Sequence, residues 1–102
     1  MKNETIDMIH QFRKARKWDE HENIKDLAIS LSLEASEFLE LFQWKTPEAS
    51  VQNTERLQEE LADVLIYSYS LADKLNFNVD EIVAKKMAKN ALKYPLQEES
   101  ND

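Results

Sequence analysis

Apolar residues recur at helical spacing along four stretches of the chain. Ile6, Ile9, Phe12 and Ala15 or Arg16 mark a segment from about Glu4 to Lys17. A second segment opens after Asn23, a side chain suited to cap a helix N-terminus, and runs to about Trp44. Lys45-Thr46-Pro47-Glu48 breaks it there, because a proline disfavours helical backbone in the residue before it. The third begins near Asn53 or Thr54 and continues to about Leu75. Asn76-Phe77-Asn78 is a connection, and Asn78 with Glu81 makes a capping-box variant that opens a fourth helix, ending near Lys93 before Tyr94-Pro95. The pattern holds no strand. It predicts an all-α protein, a small four-helix bundle joined by short connections, with one domain over 1–96 and a polar tail over 97–102.

The second segment carries more apolar surface than one buried face needs. With residues about 100° apart around the axis, Leu27, Leu31, Phe38 and Leu41 share one side, while Ile29 and Leu33 lie on the other. In a chain of 102 residues the second face is expected to meet another copy, so a homo-oligomer, a dimer or tetramer, is predicted.

Composition narrows the chemistry. Glycine is absent and proline occurs twice, which argues against hairpin-rich β folds and glycine-rich phosphate loops. There is no cysteine, so disulfides, thiolate metal sites and cysteine nucleophiles are excluded. Lys and Arg number 13 against 20 Asp and Glu, a formal charge of −7. That balance disfavours long nucleic acid, whose grip depends on neutralising phosphates. No run of apolar residues is long enough for a membrane span, and nothing near Met1 reads as a signal peptide, so a cytoplasmic location is expected.

Acids interrupt the apolar stripes at two places. Glu34 lies inside the stripe formed by Leu27, Leu31, Phe38 and Leu41, and Glu37 lies on its edge. On the third helix Glu60 and Asp63 are one turn apart and face the same way, with Tyr67 a turn further on. Each helix thus offers a pair of acids at i and i+3. Side by side, the pairs converge into four carboxylates that repel one another unless one protonates or a cation intervenes. A hard divalent cation fits, and Mg²⁺ suits best because it accepts carboxylates and keeps positions for water and substrate phosphate. Acid pairs at this spacing also occur on solvated helices, and Glu48, Glu55 and Glu59 read that way. A di-iron centre would want Glu-x-x-His on two helices. Only His10, three residues after Asp7, comes near that pattern, so iron is set aside.

Glu34-x-x-Glu37 followed by Glu60-x-x-Asp63 resembles the signature of the MazG-like all-α nucleoside triphosphate pyrophosphohydrolases. The similarity extends from about Ile9 to Pro95. The segments Glu37-Phe38-Leu39-Glu40-Leu41-Phe42-Gln43-Trp44-Lys45-Thr46 and Gln58-Glu59-Glu60-Leu61-Ala62-Asp63-Val64-Leu65-Ile66-Tyr67 are similar to the dCTP pyrophosphatase branch.

This resemblance implies hydrolysis between the α- and β-phosphates of a (deoxy)nucleoside triphosphate, with dCTP or related deoxynucleotides favoured, as nucleotide-pool house-cleaning. It implies Mg²⁺ held by Glu34, Glu37, Glu60 and Asp63; on physical grounds a spare carboxylate, Glu37 or Glu40, is expected to accept the proton of the attacking water. It implies phosphate contacts from Lys86, Lys89, Asn90 and Lys93, which share roughly one side of the fourth helix. Trp18 and Trp44 match aromatics that enclose the base, and Tyr67 is a candidate for the sugar. Ile9 stands where relatives carry a histidine, with His10 adjacent as a candidate at the base edge. Sites built across protomers are implied as well. A non-catalytic helical oligomer acting as a binding or regulatory module is the competing expectation.

Overall fold

The computed structural model describes residues 4–97. They form α1 (Glu4–Ala15), α2 (Trp18–His21), α3 (Ile24–Glu40), α4 (Pro47–Ser50), α5 (Thr54–Lys74) and α6 (Val79–Lys93), with no strand among the described residues. The four long helices correspond to the four predicted segments. Apart from Gln97, the predicted polar tail lies outside the described residues.

The starts follow side-chain caps. Asn23 accepts from the Asp26 amide, Asn53 from that of Arg56 and Asn78 from that of Glu81, each capping a long helix. The ends are where the pattern misled. α3 was expected to reach Trp44 but stops at Glu40. Its last turn tightens, with the Leu41, Phe42 and Gln43 amides bonding the carbonyls three residues back, and Trp44 turns left-handed at φ 64°. The physical reason lies just beyond. Thr46 is extended, as a residue before proline must be, and its hydroxyl accepts from the Ala49 amide to cap the single turn α4. The chain must therefore leave α3 early.

α1 stops at Ala15 rather than Lys17, because Lys17 takes a left-handed conformation (φ 58°) that launches the single turn α2. α5 ends with Asn76 left-handed at φ 59°. There the Phe77 amide bonds the Ala72 carbonyl and the Asn76 amide bonds that of Asp73. Asparagine here does the work that glycine does at many helix C-termini.

α5 is the central element, packed along α3 on one side and α1 on the other. Ile9, Leu27, Ser70 and Ala72 are buried between these three helices. On α3 the predicted inner stripe is the covered one: Leu27 is buried and Leu31, Phe38 and Leu41 are partly covered. Ile29 and Leu33 on the opposite side are 49% and 60% exposed. On α5 the expected stripe is less covered than predicted. Leu61 and Leu65 are exposed, whereas Asp63, Tyr67 and Ser70 turn inward, because α1 occupies their side. Two residues at the end of α5 fasten the N-terminal elements: Asp73 pairs with His10 at 2.7 Å, and the Lys74 Nζ donates to the Asp19 carbonyl at 2.7 Å.

α6 stands largely apart, with no buried residue. The chain extends 62 × 36 × 24 Å with a radius of gyration of 17.7 Å, against about 13 Å for a compact domain of this length. Its accessible surface is 8803 Å², whereas a compact monomer of this size exposes roughly 6,000 Å². No described helix is long and apolar enough to cross a membrane.

Candidate active site

Glu34 and Glu37 on α3 face Glu60 on α5. One carboxylate oxygen from each lies within 4.8 Å of the others. The convergence follows from position. Glu34 lies on the covered stripe of α3, and α5 packs directly along that stripe. Oε2 of Glu34 and Oε2 of Glu60 are buried and have no hydrogen-bond partner. The crowding shows in the protonation of Glu34, whose pKa rises from 4.5 to about 7. Burial is the main cause. A hydrogen bond with Glu37 and the charges of Glu37, Asp63 and Glu60 follow.

Asp63 is close enough to act on Glu34 by its charge, but it stands outside the tight three-carboxylate group. It lines instead a neighbouring cavity of about 350 Å³. The cavity lies between α1 and α5. Met8, Ile9, Phe12, Trp18, Ile66 and Tyr67 form its apolar wall, and Thr5, Arg13, Glu22 and Ser70 add polar groups. Phe12 and Trp18 meet edge to face with ring centroids 5.6 Å apart, and the Arg16 guanidinium lies over Phe12 at 3.4 Å.

The donor set fits a hard dication. Its ligands are all oxygen, two carboxylate oxygens of the group are buried without a partner, and burial together with the neighbouring acids raises the Glu34 pKa to about 7. Glu34, Glu37 and Glu60 would hold it, with Asp63 at the rim of the cavity. The acids adjoin an apolar slot with aromatic walls, an arrangement suited to a ligand with a flat ring at one end and an anionic chain at the other.

Trp18 and Tyr67, the candidates for base and sugar, line the cavity. Trp44 does not. It is fully exposed on the turn after α3 and outside the cavity of its own chain. Glu40, the last residue of α3, is exposed and not part of the three-carboxylate group. Lys86, Lys89 and Lys93 are exposed on α6, Asn90 is partly covered, and none of them lines the cavity. His10 lies away from the cavity of its own chain. It pairs with Asp73 and borders a different surface depression, with Gln11, Lys14 and Ala15. One step along α1 turns the side chain by about 100°. Ile9 therefore faces the cavity and His10 does not.

Sequence reasoning overlooked Arg13 and Glu22. Arg13 is 5% exposed, and its Nη2 meets Glu22 Oε2 at 2.5 Å in the cavity lining. A signal was present, since Arg13 falls one turn after Ile9 on the inward side of α1, a charge inside an apolar stripe much like Glu34.

Residues 29–102 match the MazG-like family, and the chain belongs to it. The dCTP pyrophosphatase 1 of Rattus norvegicus is 39% identical over 101 residues, and that of Homo sapiens is 37% identical over 99 residues. These alignments take in 91% and 90% of this chain but only 59% and 58% of the relatives, so the chain spans about three-fifths of their length. Among solved structures, a pyrophosphatase from Archaeoglobus fulgidus superposes with a TM-score of 0.83 at 39% identity, covering 91% of each chain.

Proposed function

We propose that the protein hydrolyses (deoxy)nucleoside triphosphates between the α- and β-phosphates, releasing a nucleoside monophosphate and pyrophosphate, with Mg²⁺ at the carboxylate cluster. The observation that carries this reading is the meeting of Glu34, Glu37 and Glu60 within 4.8 Å beside the aromatic cavity. The family membership, the dCTP pyrophosphatase relatives and the Archaeoglobus fulgidus pyrophosphatase support it.

When bound, Mg²⁺ neutralises triphosphate charge and eases deprotonation of water at neutral pH. Glu34, Glu37 and Glu60 would hold it, with Asp63 joining them from the rim of the cavity. Glu37, the exposed member of the cluster, accepts the proton of the attacking water, with Glu40 one turn on as the alternative acceptor. Trp18 stacks on the base and Tyr67 closes on the sugar, which favours a deoxynucleotide, and the dCTP pyrophosphatase relatives support dCTP or a related one as the substrate.

The active assembly is a homodimer or homotetramer. The chain's excess of roughly 2,800 Å² of accessible surface over a compact monomer and the open Ile29–Leu33 face of α3 support this. Trp44 supports it too. A bulky residue at positive φ is strained by the order of 1 kcal/mol and is kept where it serves a purpose. It is fully exposed, and in the assembly it covers the cavity of a second copy. Lys86, Lys89, Asn90 and Lys93 on the projecting α6 likewise reach triphosphate within the assembly.

The test is a panel of ribo- and deoxynucleoside triphosphates incubated with Mg²⁺, with the phosphate products resolved. Monophosphate and pyrophosphate are expected. Release of orthophosphate, or turnover of none of them, overturns the reading.

A further inference from the structure

The cavity that the proposed function assigns to the nucleoside has in its lining an ion pair between buried Arg13 and half-buried Glu22. Arg13 comes from α1, and Glu22 follows directly on α2. Lys74 anchors α2 through the Asp19 carbonyl, and Asp63 lies about three turns earlier on α5. The pair therefore occupies the α2 end of the cavity and Asp63 the end toward the acids. A nucleotide whose phosphates meet the acids directs its base toward Arg13 and Glu22.

Few other polar groups compete for that base. The Ser70 hydroxyl already donates to the Ile66 carbonyl at 2.6 Å. Thr5 lies about two turns before Arg13 on α1 and has a partner of its own. The ion pair is incompletely satisfied. Glu22 Oε2 is buried and touches Arg13 Nη2, yet it receives no aligned hydrogen bond. Arg13 is a planar fork of donors, engaged by Glu22 through Nη2. A buried ion pair is a weak source of stability compared with apolar packing, so its place in a ligand cavity calls for another role.

The geometry points to Arg13 and Glu22 as the residues that read the base, selecting those whose Watson–Crick edge carries an exocyclic amine beside an unprotonated ring nitrogen. The carboxylate accepts from the amine and the guanidinium donates to the ring nitrogen. Cytosine and adenine both present this donor-acceptor order. Uracil, thymine and guanine present a carbonyl oxygen where the carboxylate stands, and two acceptors then face each other. A two-point contact of this kind discriminates by roughly 10- to 100-fold. This inference rests on the proposed function for the placement of the nucleotide.

The test compares binding of dCMP, dAMP, dUMP and dGMP to the full chain with Mg²⁺, read by quenching of tryptophan fluorescence, alongside hydrolysis of the four triphosphates. The native protein should bind one or both amino-bearing monophosphates about 10- to 100-fold more tightly than the keto pair, the dCMP and dAMP arms showing which ring size fits. In E22Q the amide can donate as well as accept, so that ratio should fall to within a few-fold, with Mg²⁺ affinity retained. The double variant R13Q/E22Q leaves no buried charge and should lose the preference in the same way, which covers the case where E22Q alone does not fold. An unchanged ratio in the folded variants, or no amino preference in the native protein, overturns the inference even if pyrophosphate is released. An amino preference that E22Q abolishes, in a protein that hydrolyses no triphosphate, sustains the inference and removes the hydrolytic reading instead. Binding of none of the four overturns it.

Discussion

Glu34→Gln should make the metal-free protein more stable at high pH. The carboxyl of Glu34 titrates near 7 in the folded chain against 4.5 when unperturbed. The folded state therefore holds a proton that the unfolded state releases across this window, and stability falls as pH rises from about 4.5 to 7. The shift corresponds to a ceiling of about 3 kcal/mol. Glu34 is only half-buried, and solvent screening reduces this to the order of 1–2 kcal/mol. In EDTA at pH 8 the glutamine variant, free of that charge, should melt about 5–10 °C above the native protein. At about pH 3, well below both values, Glu34 is protonated in both states and the gap should close. Millimolar Mg²⁺ should reverse the order, because it stabilises the native protein by binding and the variant has lost a ligand. Scanning calorimetry at both pH values, with and without Mg²⁺, reads all four melting temperatures. A variant that melts lower than the native protein at pH 8 in EDTA, or a gap independent of pH, refutes the view that repulsion and burial strain this cluster.

Mg²⁺ binding near pH 6 should release a proton, seen as a binding enthalpy that depends on the ionisation enthalpy of the buffer, and affinity should weaken as pH falls below 7. E37A or D63A should lower turnover at least 100-fold while leaving the far-ultraviolet circular dichroism unchanged, and turnover within a few-fold of native would remove either residue from the reaction. The paired change I29K/L33E should shift the protein toward monomer in sedimentation velocity and lower activity with it, whereas an unaltered assembly would clear the outer face of α3 of any contact. W44A should weaken nucleotide affinity by roughly 10-fold or more, in keeping with about 1–3 kcal/mol per stacked base. No change would place Trp44 outside the site.

The helices were legible because periodicity and capping asparagines are local signals. Asn23, Asn53 and Asn78 open α3, α5 and α6 as their side-chain chemistry dictates. Glu34 was legible for a related reason, since a charge inside the Leu27–Leu41 stripe conflicts with its neighbours whatever packs against it. The end of α3 was not, because Phe42 and Trp44 continue a helical pattern that the requirement for an extended Thr46 overrides from beyond the helix. The inward turn of Asp63 and Tyr67 depends on where α1 docks, a tertiary choice that α5 alone does not encode. His10 stands off the cavity that Ile9 lines because adjacency in sequence is a large rotation on a helix. The Arg13–Glu22 pair forms only after Lys17 turns left-handed and folds α2 back, so no spacing rule links the two residues.

Hydrolysis as proposed requires the three carboxylates to act together as a dication site. Titration of Mg²⁺ into the native protein and into E60Q at pH 8, followed by calorimetry, addresses this without reference to turnover. The native protein should bind saturably, and E60Q, still folded, should bind at least 100-fold more weakly. Equal binding by the two, or no saturable binding by the native protein, contradicts it.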